Sequence, residues 1–350
     1  MAHRIFHDWL LRRWYGSRPI WFFIPLAGAF AALTALRRWA YRLGVFKTVT
    51  LPVPVIVVGN ITVGGTGKTP FVIWLARTLK AQGYRPGIIT RGYGGKSEHW
   101  PLPVTAATDP VLAGDEALLL ARHTKLPVMA GPDRIKAAQQ LQNEFQVNAI
   151  ISDDGLQHYR LGRTIEIIML DGSRGLGNGW LLPAGPLREP RRRLKKANLV
   201  ICKSNIPDMP IPGMLVMDMV LDNAISLADG ASRPLMEFAG QNVHAIAGIG
   251  HPEQFFAALE GRGLRVDRRP LPDHVKPHKQ DLLFEGSAPV LMTEKDAVKC
   301  SRFKLPNHWY VPATARFSDA DTVRILSCLH EHLSTVAKPI TVIKEERSGR

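Results

Sequence analysis

Cysteine is scarce in this chain of 350 residues, and its three cysteines, Cys202, Cys300 and Cys328, lie far apart. None forms a CxxC pair, which argues against a disulfide framework or a zinc knuckle and indicates a reducing compartment. Internal repeats and long low-complexity tracts are also missing. The length is enough for two domains with cores of their own.

Acidic residues are fewer than basic ones, and the resulting net charge of +15 is concentrated in two segments. Residues 1–48 hold eight basic residues and one Asp, and residues 188–196 hold six basic residues and one Glu. A nucleic-acid groove would draw basic residues from across the fold, so this placement argues against nucleic acid as a partner. It favours an anionic lipid surface, near which each Lys or Arg contributes about 1 kcal/mol.

A glycine-rich stretch, VGNITVGGTGKTPF, runs from Val58 to Phe71 between an apolar β-branched run and a segment with helical spacing. This order is typical of a P-loop, whose backbone N–H groups cradle phosphates at a helix N-terminus. Lys68 would reach the β- and γ-phosphates and Thr69 would hold Mg²⁺. Thr62 replaces the usual first glycine, so a chance glycine-rich turn is the alternative. The predicted nucleotide-binding residues are Thr62, Val63, Gly64, Gly65, Thr66, Gly67, Lys68 and Thr69.

A second apolar run, Ala149 to Ser152, ends at Asp153 and Asp154. A carboxylate at the end of an apolar strand usually completes a P-loop site and holds Mg²⁺ directly or through water. An ordinary Asp-Gly turn is the alternative. Together with Lys68 and Thr69, the pattern favours a magnesium site made by Thr69, Asp153 and Asp154.

The longest uncharged run, Pro19 to Leu36, reads PIWFFIPLAGAFAALTAL and has arginines and aromatic residues at its ends. Such flanks are typical of membrane-interface belts. The run spans roughly 27 Å at about 1.5 Å per residue, slightly less than a bilayer core, and Pro25 and Gly28 are expected to interrupt it. It is compatible with a segment that crosses a bilayer, dips into it or lies along it.

Two other interpretations of this run are a buried core helix and a cleaved signal peptide. We discount the signal peptide, because export would separate a phosphate-binding loop from nucleotide. Residues 1–48 are therefore predicted to form a retained N-terminal membrane anchor.

Strands alternate with helices over residues 49–213, which predicts an α/β fold with a parallel sheet of P-loop NTPase type. Residues 214–240 have strand-like runs on both sides of Asp229-Gly230 and are predicted to form a hairpin linker. Residues 241–337, with a late helix, are predicted to form a smaller C-terminal α/β domain. Residues 338–350 are predicted to form a loose polar tail.

Eight short motifs occur in a fixed order from about Val53 to Lys299: TVGGTGKTP, RGYG, GDE, DDGLQH, LPAGPLREP, GIGHPEQFF, PDH and TEKDAVK. In this order they resemble the tetraacyldisaccharide 4′-kinase family of lipid A biosynthesis. The resemblance implies transfer of the γ-phosphate of ATP, with Mg²⁺, to the 4′-hydroxyl of a tetraacyl-glucosamine disaccharide 1-phosphate. It also implies an active site at the cytoplasmic face of the inner membrane.

The family's roles are carried to matching positions of this sequence. The resemblance implies that Asp115 is the general base, assisted by His274, and that Lys68 binds the phosphates. Without the family, Asp115 could be a helix N-cap and His274 a solvated loop histidine. The predicted cleft residues are Tyr93, Arg134, Gln157, His158, Arg188 and Glu189.

Two positions depart from the family's pattern. Val275 stands where a second histidine is frequent, which leaves open which imidazole works. Thr164 stands where an aspartate is frequent, and we interpret it as structural. His274 and His278 are four residues apart, but Pro277 breaks any helix there, so we reject a zinc site.

The basic loop 188–196, REPRRRLKK, has two interpretations. It is either a solvated basic helix or a surface on which Arg188 points at phosphate and Arg191 to Lys196 meet lipid headgroups or the substrate's 1-phosphate. The predicted membrane anchor favours the second interpretation.

Three rival functions are a P-loop switch without an acceptor, a nucleic-acid-stimulated ATPase and a non-enzymatic membrane adaptor. TEKD is not a guanine-reading NKxD motif, because Lys295 and Asp296 are adjacent. The function predicted from the sequence is therefore a membrane-bound lipid kinase that uses Mg-ATP.

Overall fold

The computed structural model describes residues 9–204, 211–272, 277–300, 303 and 305–334. The predictions for His274, Val275 and the tail 338–350 lie outside these residues. Two sheets with flanking helices make up the described chain. We call the larger sheet with its helices the first unit and the smaller sheet with its helices the second unit.

The strands of the first unit are β1 Val55–Asn60, β2 Pro86–Thr90, β3 Leu102–Val104, β4 Val128–Ala130, β5 Ala149–Asp153, β6 Ile165–Asp171, β7 Leu199–Lys203 and β8 Leu215–Val220, and later β15 Thr314–Arg316. Those of the second unit are β9 Asn223–Ser226, β10 Ser232–Pro234, β11 Asn242–Ala247, β12 Arg265–Pro270, β13 Val290–Thr293 and β14 His308–Val311. The helices are α1 Ile24–Arg42, α2 Lys68–Ala81, α3 Pro110–Ala113, α4 Asp115–Thr124, α5 Arg134–Phe145, α6 Pro252–Glu260, α7 Glu294–Cys300 and α8 Asp319–Leu333. Residues 9–14 are also helical.

The nine-stranded sheet of the first unit has the order β15-β8-β7-β6-β1-β5-β2-β4-β3. Only the edge strands β3 and β15 run antiparallel to their neighbours. The central strands β1, β5 and β6 are buried along their whole length, as a parallel sheet covered on both faces requires. The predicted α/β class with a large, mostly parallel sheet is confirmed.

Helices cover both faces of this sheet. On one face Leu75 of α2 and Leu120 of α4 share a core with Ile325 of α8. On the other face Leu141 of α5 packs with Val57 of β1. The first unit is therefore a three-layer structure, with the carboxyl ends of its central strands free for loops.

The second unit holds a six-stranded sheet in the order β10-β9-β14-β13-β11-β12. Its four strands β11 to β14 are parallel, and β9 and β10 are antiparallel additions at one edge. Phe256 and Leu259 of α6 pack on Leu291 of β13. These strands and helices make up a second, smaller α/β unit.

The late helix α8 and the strand before it belong to the first unit. Strand β15 pairs with β8, and Ile325, Leu329 and Leu333 of α8 enter the main core of the first sheet. From the sequence, this helix was predicted to belong to the C-terminal α/β domain, residues 241–337. That placement differs from the structure because an apolar helix face does not specify which sheet covers it.

The predicted linker 214–240 is divided between the two sheets. Strand β8 pairs in parallel with β7, whereas β9 and β10 form an antiparallel hairpin across Asp229-Gly230 in the second sheet. The hairpin is therefore part of the second sheet, and the connection between the units is shorter than predicted.

The N-terminal helix α1 lies on the surface, with only Ala27 and Arg38 buried. This excludes the buried core helix. Pro25 does not interrupt the helix, because it occupies the first turn, where its missing N–H costs nothing. Within the described chain, none of the helices has the length and apolar character needed to cross a bilayer.

Candidate active site

The glycine-rich loop connects the buried strand β1 to the first turn of α2. Gly67 precedes the helix with φ at +78°, and a Cβ there would lie 2.9 Å from the Met217 methyl, so glycine is required. Thr62 is buried and its backbone bridges to Leu187, while the N–H of Val63 donates to the carbonyl of Pro186 at 2.9 Å. This β-bridge explains how a threonine replaces the usual first glycine.

Several donors of the loop have no protein partner. In the described part of the chain, the backbone N–H groups of Gly64, Gly65 and Thr66 donate to no protein acceptor. The hydroxyl of Thr66 is buried and also lacks a hydrogen-bond partner there. Such free donors at a helix N-terminus form a site for an anion.

Lys68 and Asp154 meet at the carboxyl edge of the first sheet. Lys68 Nζ lies 3.3 Å from Asp154 Oδ1, and Arg188 Nη1 lies 3.6 Å from Asp154 Oδ2. Burial alone would raise the pKa of Asp154, but the charges of Lys68 and Arg188 outweigh it and hold that pKa below its usual value. The loop and the acidic turn, which are 86 residues apart, thus face each other as the sequence predicted.

Asp153 is the last residue of β5 and pairs in register with Val58 of β1. Its side chain is buried, and Oδ1 has no hydrogen-bond partner in the described chain. Burial, and after it the charge of Glu116, raise the pKa of Asp153 to about 7. A buried carboxylate oxygen without a hydrogen-bond partner is suited to bind a cation.

The fit to Mg²⁺ follows from the oxygen atoms available. Asp153 and Asp154 supply carboxylates next to Lys68, and the hydroxyl of Thr69 stands one residue further along α2. No group of three or more His, Cys, Asp or Glu side chains in the described residues is arranged to hold a metal. Mg²⁺ does not need one, since it binds through one or two carboxylates together with phosphates and water. The residues present therefore fit Mg²⁺ bound with a nucleotide.

Arg134 is buried at the start of α5 and holds the backbone of the acidic turn at Asp153. Its guanidinium donates to the carbonyls of Gly131 at 2.9 Å and Asp153 at 3.1 Å. Burial lowers the pKa of Arg134 to about 10, so it stays charged at neutral pH. This fixes the backbone of Asp153 beside the loop.

Asp115 begins α4, and the N-cap residue is Gly114, not Asp115. The N-cap alternative for Asp115 is therefore wrong. Its neighbour Glu116, also in the GDE motif, raises the pKa of Asp153 through its charge. Glu116 Oε1 lies 3.5 Å from Nζ of Lys295, a residue of the second unit. Neither Glu116 nor Lys295 was predicted to be a site residue, although they lie in the GDE and TEKDAVK motifs.

Of the other predicted cleft residues, Gln157 donates through Nε2 to the carbonyl of Asn60 at 3.0 Å. His158 has an Nε2 without a hydrogen-bond partner in the described chain, and burial, then the charge of Arg134, lower its pKa. Tyr93 is exposed, and its carbonyl would lie 2.2 Å from a Cβ at Gly114, so its turn packs against the start of α4. Gln157 and His158 thus lie next to the acidic turn, whereas Tyr93 lies beside the start of α4.

Glu189 contacts the N-terminal helix α1. It is buried, accepts a hydrogen bond from Arg38 of α1 at 3.2 Å and accepts another from the hydroxyl of Tyr159. Its carboxylate joins α1 to the core, and its predicted place in the cleft stays a prediction. Thr164 accepts a hydrogen bond from the N–H of Val55, in agreement with its structural interpretation.

The basic loop has two kinds of residue. Residues Arg191–Lys196 form a 3₁₀ turn in which Leu194 is buried and Arg193 pairs with the buried Glu166. The remaining basic residues, Arg191, Arg192, Lys195 and Lys196, are exposed. Within the turn Arg191–Lys196, these four are the residues that can meet an external anion.

The two units meet beside this site. Leu118 and Leu119 of α4 pack on Val298 of α7, and His123 Nε2 lies 2.6 Å from Glu294 Oε1. On the other side of the loop, Lys203 lies 2.9 Å from Asp171 and donates to Gln254 of α6 at 2.7 Å. The site therefore lies at the carboxyl edge of the first sheet, where the second unit approaches it.

Comparison with known proteins agrees with this geometry. Residues 19–330 match the family model described as "Tetraacyldisaccharide-1-P 4'-kinase". A tetraacyldisaccharide 4'-kinase of Nitrosococcus oceani is 48% identical over 92% of this chain and 94% of its own, and one of Alkalilimnicola ehrlichii is 49% identical over 87% and 91%. A crystal structure of the "apo" form of LpxK from Aquifex aeolicus in complex with ATP superposes with a TM-score of 0.74 at 29% identity, covering 89% of this chain and 98% of that one.

Proposed function

The chain belongs to the tetraacyldisaccharide-1-P 4′-kinase family, and from this premise we propose how its residues carry out the reaction. Its activity is that of an ATP-dependent lipid kinase of lipid A biosynthesis, which phosphorylates a tetraacyldisaccharide 1-phosphate at the 4′-hydroxyl. The observation that carries the assignment of the site is the meeting of Lys68 and Asp154 beside the buried Asp153.

The glycine-rich loop acts as a P-loop in this proposal. The free N–H groups of Gly64, Gly65 and Thr66 hold the phosphates of ATP, and Lys68 exchanges its contact with Asp154 for the β- and γ-oxygens. Thr69, Asp153 and Asp154 hold Mg²⁺. When bound, Mg²⁺ neutralises charge on the phosphates.

Asp115 is the proposed general base. A sugar hydroxyl is a poor nucleophile at neutral pH, so a carboxylate within hydrogen-bond reach accepts its proton as the phosphoryl group moves. The position of Asp115 in the first turn of α4 favours its ionised form. The assisting role of His274 rests on the family's motif alone, since that residue lies outside the described chain.

Arg188, Arg134, Gln157, His158 and Tyr93 form the proposed wall of the cleft. Arg188 is the charged side chain on the surface of this wall, about one-third exposed and beside Asp154, so it is placed to receive an anionic substrate group. Arg134 acts indirectly, because its guanidinium donates to the backbone carbonyl of Asp153 and fixes that residue. Glu189 is left out of this wall because it is buried against Arg38.

Membrane association is proposed to occur through one face of α1. The exposed apolar residues of this segment are Trp21, Phe22, Leu26, Leu33, Leu36, Trp39 and Leu43. Phe22, Leu26, Leu33, Leu36 and Leu43 follow helical spacing, so they form one stripe that fits an interfacial helix lying on the bilayer.

The exposed part of the basic loop supports the same orientation. A groove of about 350 Å³ between α1 and this loop is lined by Ala35, Leu36, Arg38, Trp39, Arg42 and Arg192. Arg192 therefore lies beside the apolar stripe, where anionic headgroups would meet it. We propose that this face binds the cytoplasmic leaflet of the inner membrane, as a surface helix within the predicted anchor 1–48.

The test is transfer of ³²P from γ-labelled ATP to a tetraacylated disaccharide 1-phosphate in detergent micelles. The wild-type chain should label the lipid, Lys68→Ala should not, and Lys80→Ala, an exposed lysine of the same helix, should match the wild type. ATP hydrolysis without labelled lipid would instead indicate a switch without an acceptor.

A further inference from the structure

Arg174 lies at the entrance of the phosphate loop and has no role in the mechanism above. It follows β6, the strand next to β1, three residues after Asp171. A Cβ placed on Gly64 would lie 3.2 Å from Arg174 Nη1, so the guanidinium stands directly against the loop. Gly64 has φ at +109°, which together with this approach requires glycine.

Two contacts hold this guanidinium in place, and a third ties its partner Tyr15 to the loop. Its Cζ lies 4.8 Å from the ring centroid of Tyr15, and its Nη2 donates to the carbonyl of Gly250 at 3.0 Å. The hydroxyl of Tyr15 donates in turn to the carbonyl of Val63 at 2.7 Å. Tyr15 thus touches both the arginine and the residue before Gly64, so it fixes their relative position.

The neighbouring acid does not neutralise Arg174. Asp171 is buried and lies 2.9 Å from Lys203, which supplies its counter-charge. Arg174 is half-buried and backed by an aromatic face, an arrangement that guanidinium groups favour over ammonium groups. The positive charge therefore remains available to an anion in the loop.

The position of this charge complements that of Lys68. Lys68 starts the helix at one end of the glycine-rich loop, and Arg174 stands at Gly64 near the other end. The phosphate chain of ATP, held between them, would have a cation at both ends of the loop. A planar guanidinium that is already fixed stabilises developing charge without reorganisation, as an arginine supplied in cis does in other phosphoryl-transfer proteins.

We propose that Arg174 is a further catalytic residue of this kinase, whose guanidinium contacts the phosphoryl group of ATP in transfer and stabilises its charge. The inference rests on the proposed function. In that reaction a bond forms between the acceptor oxygen and the γ-phosphorus, and the bond from that phosphorus to the bridging oxygen breaks. The proton goes to Asp115, ADP leaves, and Arg174 loses and gains no atom.

The same contacts assign Tyr15 as a positioning residue. It comes from the segment that precedes α1, next to Trp14, whose indole N–H donates to the carbonyl of Pro183 at 2.9 Å. The N-terminal segment therefore reaches the nucleotide site as well as the proposed membrane face. Gly250 adds a contact from the second unit, so three parts of the chain set the position of one guanidinium.

The experiment compares binding of Mg-ADP alone with binding of Mg-ADP and fluoroaluminate, which imitates the phosphoryl group in transfer. In Arg174→Ala, affinity for Mg-ADP should stay within about threefold, while the gain from fluoroaluminate should fall about 10²-fold, as for loss of one preorganised donor. Arg174→Lys should recover part of that gain. Tyr15→Phe should weaken it less than Arg174→Ala, because the ring remains.

Arg233→Ala is the matched control, since Arg233 also lies over aromatic rings, Phe238 at 5.3 Å and Trp309 at 5.4 Å, but belongs to the second sheet. It should bind both forms as the wild type does. The proposal is overturned if Arg174→Ala keeps the full fluoroaluminate gain, or if it weakens both forms equally. The readout is nucleotide binding, so failure of the wild type to phosphorylate lipid would count against the acceptor and not against Arg174. If Arg174→Ala does not fold, Arg174→Lys and Arg174→Gln carry the same comparison.

Discussion

Arg38 and Glu189 form a buried ion pair, with 3.2 Å between Nη1 and Oε2 and only 10% and 3% of the two side chains exposed. This ion pair joins the surface helix α1 to Glu189. Glu189 comes two residues after Leu187, which forms a β-bridge with Thr62 of the glycine-rich loop. Tyr159 donates to the same carboxylate, and burial and the charge of Glu189 raise the pKa of Tyr159 to about 12.

Removal of one partner of this pair should destabilise the protein strongly. Glu189→Ala leaves Arg38 buried without a counter-charge, and such changes cost about 3–5 kcal/mol. Thermal or denaturant unfolding measures the loss. Arg38→Ala should cost a similar amount, and the double variant less than the sum of the two.

A matched control exists in the exposed pair Arg233–Glu237, at 3.1 Å. Glu237→Ala should change stability by no more than about 1 kcal/mol, because exposed pairs contribute little. Equal effects of Glu189→Ala and Glu237→Ala would contradict the importance of burial at Arg38.

Asp115→Asn should lower kcat by about 10²–10⁴-fold, the range expected for loss of a general base. Its affinity for ATP, measured by equilibrium binding, should change by less than about threefold, because the role proposed for Asp115 is at the acceptor hydroxyl and not at the nucleotide. The control is Asp109→Asn, since Asp109 caps the preceding short helix through the N–H of Val111 and asparagine caps equally well. A parallel loss of ATP affinity and kcat would indicate a structural role for Asp115.

Asp153 should make the nucleotide-free protein less stable as the pH rises. A carboxyl whose pKa is raised on folding binds its proton more tightly when folded, so its stabilisation is fully present below pH 3.8 and is lost as the pH rises through about 7. Asp153→Asn should therefore be more stable than the wild type at pH 8, by up to about 4 kcal/mol if each pKa unit counts about 1.4 kcal/mol.

That difference should narrow at pH 5, where the wild-type carboxyl is mostly protonated. Unfolding curves at pH 5 and pH 8, without Mg²⁺ or nucleotide, make the comparison. A gap of the same size at both pH values would refute the raised pKa. Phosphoryl transfer should be lost in the same variant, since its side chain no longer offers a carboxylate to Mg²⁺.

The apolar stripe of α1 should determine binding to lipid. The double variant Leu33→Glu/Leu36→Glu places two charges on side chains that are 67% and 60% exposed, so the fold should be kept. Sedimentation with anionic vesicles should show at least about tenfold weaker binding, because burial of each leucine contributes about 1.5–3 kcal/mol. Binding of ATP should not change.

Val323→Glu is the control for this variant, because Val323 is 60% exposed on α8, a helix of the first unit away from α1. It should bind vesicles as the wild type does. Undiminished vesicle binding of the α1 double variant would mean that another surface meets the membrane.

Local patterns predicted the parts of the site that local residues build. The apolar run Ala149 to Ser152 was predicted to be a strand, and β5 runs one residue beyond it. Apolar β-branched runs that end in Gly or Asp carry this information within a few residues. The convergence of Lys68 on Asp154 followed because parallel strands bring their carboxyl ends to one edge.

Contacts between distant residues were not predictable in the same way. Arg193 lies in a run of basic residues that suggests a solvated surface, yet it pairs with the buried Glu166. Glu189 was predicted to line the cleft, but Arg38, 151 residues away in the sequence, determines its environment. Arg174 and Tyr15 carry no motif, and only the packing of the N-terminal segment on the glycine-rich loop brings them together.

The chain passes between the two sheets twice, and the two passages lie side by side. Residues 221–222 connect β8 to β9, and residues 312–313 connect β14 to β15. Because β8 pairs with β15 and β9 with β14, the passages form a two-stranded ribbon that is hydrogen-bonded at both ends. Such a ribbon bends across its width but resists shear along its length. A change in the angle between the units would therefore have to bend both strands at the same level, so the two passages act as one hinge.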